Sequence, residues 1–224
     1  MNPLLLLVAD SRLPAGGHTQ SVGVESAIHY GDVTDAVTLE RYLRGRLATT
    51  GHTEAAFAAR VATPGAGETA ADVLVLDAEL AARLLSPRQR QVSRQLGRQL
   101  LRVAANVGGS GVLTQLGRLP EGPLQPLALG ALIAAVGGTP IDAATIQLHH
   151  IIGAGTTAAV RLLGLDPIEL VQLSSRLGVE MRDLAERATA DAARPVVDLP
   201  SWGGTLTEIL SEDHGAWDHR MFAA

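Results

Sequence analysis

Apolar positions recur every three to four residues over most of the chain, and the intervals between these runs are short and rich in Pro and Gly. Leu39, Leu43 and Leu47 lie one turn apart and mark a helix over 35–50, with others expected at 19–30, 52–62 and 69–85. Three sites place a capping side chain before a Pro at the first helical position: Ser86-Pro87 with Gln89, Thr139-Pro140 with Asp142, and Asp166-Pro167 with Glu169. That order suits a helix start, because the cap accepts an orphan amide hydrogen and Pro lacks one. A short buried helix is expected over 127–136, ended by Gly137-Gly138, and a long one over 140–163. Turns fall at Pro64 to Gly67, Gly108 to Gly111 and Pro120 to Pro123. No window shows sustained period-two alternation between turns, and no repeat is visible. The pattern predicts an all-α fold, a single-domain bundle of roughly 8–10 helices. From Arg194 onward the character shifts to Pro, Gly and Trp, so residues 1–200 form the expected helical domain and 201–224 a flexible tail.

Composition narrows the chemistry. With 224 residues the chain suits one sizeable domain. All 18 basic residues are Arg, and neither Lys nor Cys occurs. P-loop nucleotide hydrolysis, Schiff-base catalysis, thiolate chemistry and Cys-ligated metals are thereby excluded. Ala (35) and Leu (34) dominate while aromatics reach 3%, which favours helices over sheets. A mean hydropathy of +0.19 is high for a soluble chain and suggests apolar surface meant for a partner. The run Leu4 to Ala9 is short, has no basic residue before it and meets Asp10 at once, so it reads neither as a signal peptide nor as a span. The 140–163 segment is interrupted by Asp142, Gln147, His149, His150 and Arg161, which excludes a membrane helix there. A cytoplasmic location is the simplest expectation.

Charge is uneven. Seven Arg (83, 88, 90, 94, 98, 102, 118) lie between Leu80 and Pro120 without an Asp or Glu, leaving 11 Arg against 23 acids elsewhere. Arg90, Arg94, Arg98 and Arg102 recur every four residues and span an arc of about 120° on a helix. Val92, Leu96, Leu100, Val103 and Val107 fall opposite them. An acidic protein partner is the first expectation for such a stripe; nucleic acid or a phosphorylated ligand is the alternative. His149 and His150 are adjacent, point about 100° apart on a helix and suit a core or interface better than one metal ion. His214 and His219, with Glu212, Asp213 and Asp218 nearby, are the weak metal candidates. No nucleophile-elbow or dinucleotide motif is present, and a carboxylate enzyme lacks a positive signal.

The stretch Ala9 to Glu25 joins two apolar segments through an Asp-Ser cap, Pro14 and the pair Gly16-Gly17. On its own it reads as a helix-turn-helix junction in which Asp10 or Ser11 caps backbone amides and Gly16-Gly17 allow a tight turn. The series Ala9-Asp10-Ser11-x-Leu13-Pro14-x-Gly16-Gly17 with Ser21-x-Gly23-x-Glu25 also resembles the opening of UreF-type urease accessory proteins. Ser93 to Leu101, with Arg94-x-x-Gly97-Arg98, is similar to that family's central helix, and Gly155 to Leu162 to a later one. His214-x-x-x-x-His219-Arg220-Met221-Phe222 resembles its tail. His18 and Val22 stand where the family usually has aromatics, and Trp217-Asp218 where Tyr-Ser is common, as in an aromatic-poor actinobacterial branch.

The resemblance implies a non-catalytic, cytoplasmic, homodimeric accessory protein. It would link a UreD/UreH-type accessory protein and the GTPase UreG to apo-urease for GTP-dependent nickel insertion, binding no cofactor stably itself and neither nucleic acid nor membrane. Trp217, Arg220, Met221 and Phe222 are then expected at the UreD/UreH contact, where aromatic and Arg anchors dominate binding. Asp10, Ser11, Pro14, Gly16, Gly17, Gly23 and Glu25 are expected to shape the junction or touch the GTPase. Arg94 and Arg98 are expected at the dimer or UreG surface.

Overall fold

The computed structural model describes residues 2–10, 12–107 and 111–223. Ser11 and the turn at 108–110 lie outside the described residues, and of His18 only the backbone is described. All the regular structure described is helical: α1 (Pro3–Ala9), α2 (Val24–His29), α3 (Ala36–Arg46), α4 (His52–Ala62), α5 (Ala70–Arg83), α6 (Pro87–Val107), α7 (Gly111–Leu116), α8 (Gln125–Ala135), α9 (Pro140–Leu163), α10 (Pro167–Asp191) and α11 (Thr205–Gly215). The all-α expectation holds, and no helix among the described residues is long and apolar enough to cross a membrane.

The bundle is built around α4. Ala55, Ala56, Phe57, Ala58, Ala59 and Val61 are all buried, so this helix is enclosed on every side, chiefly by α8, α9 and α10. Small side chains let the backbones approach closely. At Gly130 of α8 an added Cβ would stand 2.2 Å from the Ala58 carbonyl oxygen, a backbone atom that cannot swing aside. Gly97 of α6 meets the Pro123 carbonyl in the same way, at 2.0 Å. The core divides into two clusters on either side of α4. One is built from Phe57, Leu76, Leu80, Leu100, Leu127 and Leu132 of α4, α5, α6 and α8. The other comprises Leu39, Leu43, Leu148, Leu173 and Leu177 of α3, α9 and α10, together with Phe222.

The caps behave as their chemistry dictates. Thr139 and Asp142 form a reciprocal capping box on α9, and Asp166 accepts from Ile168 N at 2.9 Å on α10. Ser86 Oγ accepts from Gln89 N at 3.0 Å on α6. The helix expected over 19–30 is shorter. A 3₁₀ turn occupies Gly17–Thr19 and α2 starts only at Val24, because Val22 (φ 49°) and Gly23 (φ 87°) take left-handed backbone. The expected break after residue 50 is instead a π-helical turn, Leu47–Gly51, that runs into α4 through Thr49 (φ −109°, ψ −107°). Residues 3–9 form α1, the first helix of the helix-turn-helix junction; His150 Nε2 donates to the Val8 carbonyl at 3.1 Å and ties that helix to α9.

The tail departs most from expectation. Rather than being flexible throughout, it contains α11, which packs against α6 and α2. Its carboxylates complete the cap of α6: Glu212 accepts from Arg88 N at 2.8 Å and from the Ser86 hydroxyl, and Glu208 accepts from Ser86 N at 3.0 Å. Two acids against the amide end of a 21-residue helix are favourably placed in its dipole.

Two outcomes follow. Gly130→Ala is expected to cost about 1–3 kcal/mol, as an overpacked core does, measured as a loss of midpoint in urea unfolding; an unchanged midpoint would disprove the α4–α8 contact. Burial, with the neighbouring His149 charge, pushes His150 down to about 4. Its ordinary value lies near 6.5, so the unfolded chain takes up this proton first and stability falls as pH drops from 6.5 toward 4. His150→Gln should flatten that part of the Tm-against-pH curve.

Candidate partner-binding site

The junction motif and the tail, 190 residues apart in sequence, meet at one buried group. Glu25 stands in the first turn of α2 and is only 8% exposed. Its Oε1 accepts from Met221 N at 2.7 Å and its Oε2 from Phe222 N at 3.0 Å. His214, on the last turn of α11 and 1% exposed, places Nε2 2.8 Å from the same Oε2. Phe222 is 3% exposed, with the Arg161 guanidinium 5.8 Å from its ring centre. Outside this clasp, Ala223 N donates to the Thr19 carbonyl at 2.8 Å and Arg88 Nη2 donates to the Ala223 carbonyl at 3.1 Å.

Trp217 closes an aromatic group over α2. Its ring lies 4.3 Å from that of His29 and 4.8 Å from that of His214, centre to centre. Trp217 Nε1 and the Tyr30 hydroxyl both donate to Asp213 Oδ2, at 2.8 and 2.7 Å. Those two bonds hold the Asp213 carboxyl below its ordinary range, and the same contact pushes the Tyr30 phenol up. Met221 (58% exposed), Arg220 and His219 face outward, with Arg220 Nη1 donating to the Gly215 carbonyl at 2.7 Å.

The described junction residues besides Glu25 fall into three groups. Asp10 accepts from Arg12 N at 2.8 Å and pairs with its guanidinium at 2.6 Å, which holds the carboxyl down at about 2; it secures the loop locally. Gly16 (φ 80°) and Gly23 serve close approaches, since a Cβ would meet the Gln99 side chain at 2.2 Å and the Tyr42 hydroxyl at 2.3 Å. Pro14 and Gly17 are exposed.

Arg94 does not present an open cation. Its guanidinium pairs with Asp77 at 2.8 Å and Glu121 at 3.0 Å and also donates to the Gly122 carbonyl. Arg98 is exposed but donates to the Glu121 carbonyl, and Arg90 donates to the Leu84 and Leu85 carbonyls. Arg90, Arg94 and Arg98 therefore fasten the 119–124 loop and the α5–α6 turn, with acids just outside the acid-free window at 77 and 121, while Arg102 lies exposed.

The two weak metal candidates do not converge: His214 is enclosed beside Glu25 while His219 faces solvent. No group of three or more His, Asp or Glu side chains able to hold an ion occurs among the described residues. A cleft of about 630 Å³ lies beneath the junction, walled by Leu13, Val22, Leu96 and Ile151. At its base Arg46 pairs with Glu54 at 3.2 Å and Gln147 donates to Glu54 at 3.1 Å. Sequence reading missed the capping role of Glu208 and Glu212, whose spacing of four on one helix face was a usable signal. It also missed Tyr30 and the contact of Arg161 with Phe222, which depend on tertiary structure.

The profile of the UreF family matches residues 33–178. The chain is 38% identical over 220 residues to a protein named urease accessory protein UreF from Mycobacterium sp. (strain JLS), covering 98% of this chain and 97% of that one. A protein of the same name from Mycolicibacterium vanbaalenii is 36% identical over 225 residues, with 98% and 97% covered. One from Mycobacterium tuberculosis (strain H37Rv) is 38% identical over 200 residues, with 87% and 90% covered. These alignments reach well beyond the profile, taking in most of the chain on either side of it. The chain thus belongs to the UreF family.

Proposed function

We propose that this protein is a non-catalytic scaffold in urease maturation. It links a UreD/UreH-type accessory protein and the GTPase UreG to apo-urease in the cytoplasm, acts as a homodimer and supports GTP-dependent nickel insertion. The observation that carries the reading is the near full-length kinship with proteins named urease accessory protein UreF. Composition agrees with it. A chain without Lys has no P-loop lysine, so in this reading the nucleotide chemistry belongs to its GTPase partner, and the carbamylated lysine that the nickel site needs belongs to urease. Nickel is cargo of the assembly in this reading rather than a resident of the chain.

The tail is the proposed contact with the UreD/UreH-type protein. Met221 stands out from the surface beside Trp217 and Arg220, residue types that recur as interface anchors, while Phe222 is buried as their footing. The junction residues Asp10, Ser11, Pro14, Gly16, Gly17, Gly23 and Glu25 are proposed to shape the N-terminal junction or to touch the GTPase. The outward side of α6 around Arg98 remains the proposed UreG or dimer contact, with Arg94 fixing its loop.

Two measurements test this. Cells lacking the protein should show little urease activity at ordinary nickel concentration; activity equal to that of the parent strain would refute the reading. Met221→Asp should weaken binding of the UreD/UreH-type partner about tenfold or more, about 1.4 kcal/mol, by titration calorimetry. Its side chain is exposed, so Tm should hold, and wild-type affinity would remove the tail from that contact.

A further inference from the structure

The tail follows α11 with no regular structure over residues 216–223, yet consecutive residues are directed to opposite sides. Met221 is 58% exposed and Phe222 3%. The cause is visible in the hydrogen bonds. Two successive amides, Met221 N and Phe222 N, each donate to a different oxygen of the Glu25 carboxylate, at 2.7 and 3.0 Å. A two-oxygen acceptor gripping two adjacent N–H groups fixes the direction of the chain at that point, and with it which side chain turns inward. His214 occupies the remaining side of Oε2 at 2.8 Å, so that oxygen has one donor from the tail and one from α11. The other ties of the last residues, Ala223 N to Thr19 O and Arg88 to Ala223 O, join main chain or a long side chain and do not select between Met221 and Phe222.

We propose that Glu25 is the positioning residue that presets the tail for its partner, so that Met221, Arg220 and Trp217 are displayed in one arrangement before contact. This rests on the reading of the tail as a docking element. The physical gain is preorganisation: a segment already fixed loses less conformational freedom when it binds. Glutamine in place of Glu25 keeps the shape but brings an N–H₂ against one of the amide donors, leaving a buried donor without an acceptor. The tail then samples released conformations in which Phe222 leaves its pocket.

The sequence supplies a clean reporter. There is no Lys, Arg194 is followed by Pro195, and Arg220 is the only later arginine, so trypsin acting on a released tail cuts after Arg220 and removes residues 221–224. Intact-mass spectrometry under native conditions reads the rate of that loss, and peptide mapping reads cleavage at interior arginines. Glu25→Gln is expected to raise cleavage at Arg220 at least tenfold with interior cleavage unchanged. No rise, or an equal rise at interior arginines, overturns the proposal, the second because it signals general loosening. If Glu25→Gln does not fold, His214→Gln serves, with a rise of at least threefold expected under the same criteria. In parallel, Glu25→Gln should weaken binding of the UreD/UreH-type partner about tenfold. Unchanged affinity for Glu25→Gln alongside a weakened Met221→Asp overturns the positioning role. Unchanged affinity for both overturns the docking reading itself.

Discussion

The structure depends on how closely helices can approach α4. A helix buried on all sides cannot carry large side chains toward every neighbour, so its apolar positions are mostly Ala, with Phe57 as the one bulky apolar side chain. The glycine at 130 extends the same economy to α8, bringing backbones rather than side chains into contact. Dense packing of this kind gains dispersion energy and tolerates little change. It also separates two apolar clusters, so that α5, α6 and α7 lie on one side and α3 and α10 on the other, with α9 in contact with both α4 and α8. The proposed partner surface sits where α2, α6, α9 and α11 converge over that frame.

What makes this surface coherent is that three carboxylates hold the end of the chain. Glu208 and Glu212 seat α11 on the amide end of α6, and Glu25 grips the residues beyond it. Each accepts from backbone N–H groups, which in a buried setting would otherwise be orphaned. Residues 221–223 are thus held through main-chain atoms, and the Met221 side chain is left over for other uses. A segment fixed by its backbone can change its exposed side chains without losing its course, which suits a contact that must be recognised by another protein.

The fold class and most helices were legible because periodicity, caps and turns act locally. Thr139-Pro140 and Asp166-Pro167 place helix starts correctly from two residues each, since a cap and a fixed φ need no distant partner. The short α2 was not legible: its start is set by left-handed backbone at Val22 and Gly23, where Gly23 faces Tyr42 from α3. The order in the tail was hidden for the same kind of reason. Pro, Gly and charge after Arg194 suggest mobility, and only the tertiary meeting of Glu25 with residues 214, 221 and 222 reveals what holds the segment. The residues of that clasp had been picked out singly, from motifs at opposite ends of the chain, without any sign that they touch.

The exclusive use of arginine takes on a different meaning in three dimensions. The acid-free stretch suggested cations kept free for partners, yet many of these side chains bond to carbonyl oxygens of their own chain. Arg83 donates to the carbonyls of Val197, Leu199 and Pro200, Arg90 to those of Leu84 and Leu85, Arg98 to Glu121, Arg88 to Ala223 and Arg220 to Gly215. A guanidinium offers five donors in a planar fork and can bridge several carbonyls of an irregular segment, which the point charge of an ammonium does less well. Loops and termini without regular structure expose carbonyls that need such donors. In a chain with few aromatics and no disulfides, arginine is the side chain able to staple loops to helices, and the charge pattern that looked like a binding stripe is first of all a means of holding the irregular parts of the fold in place.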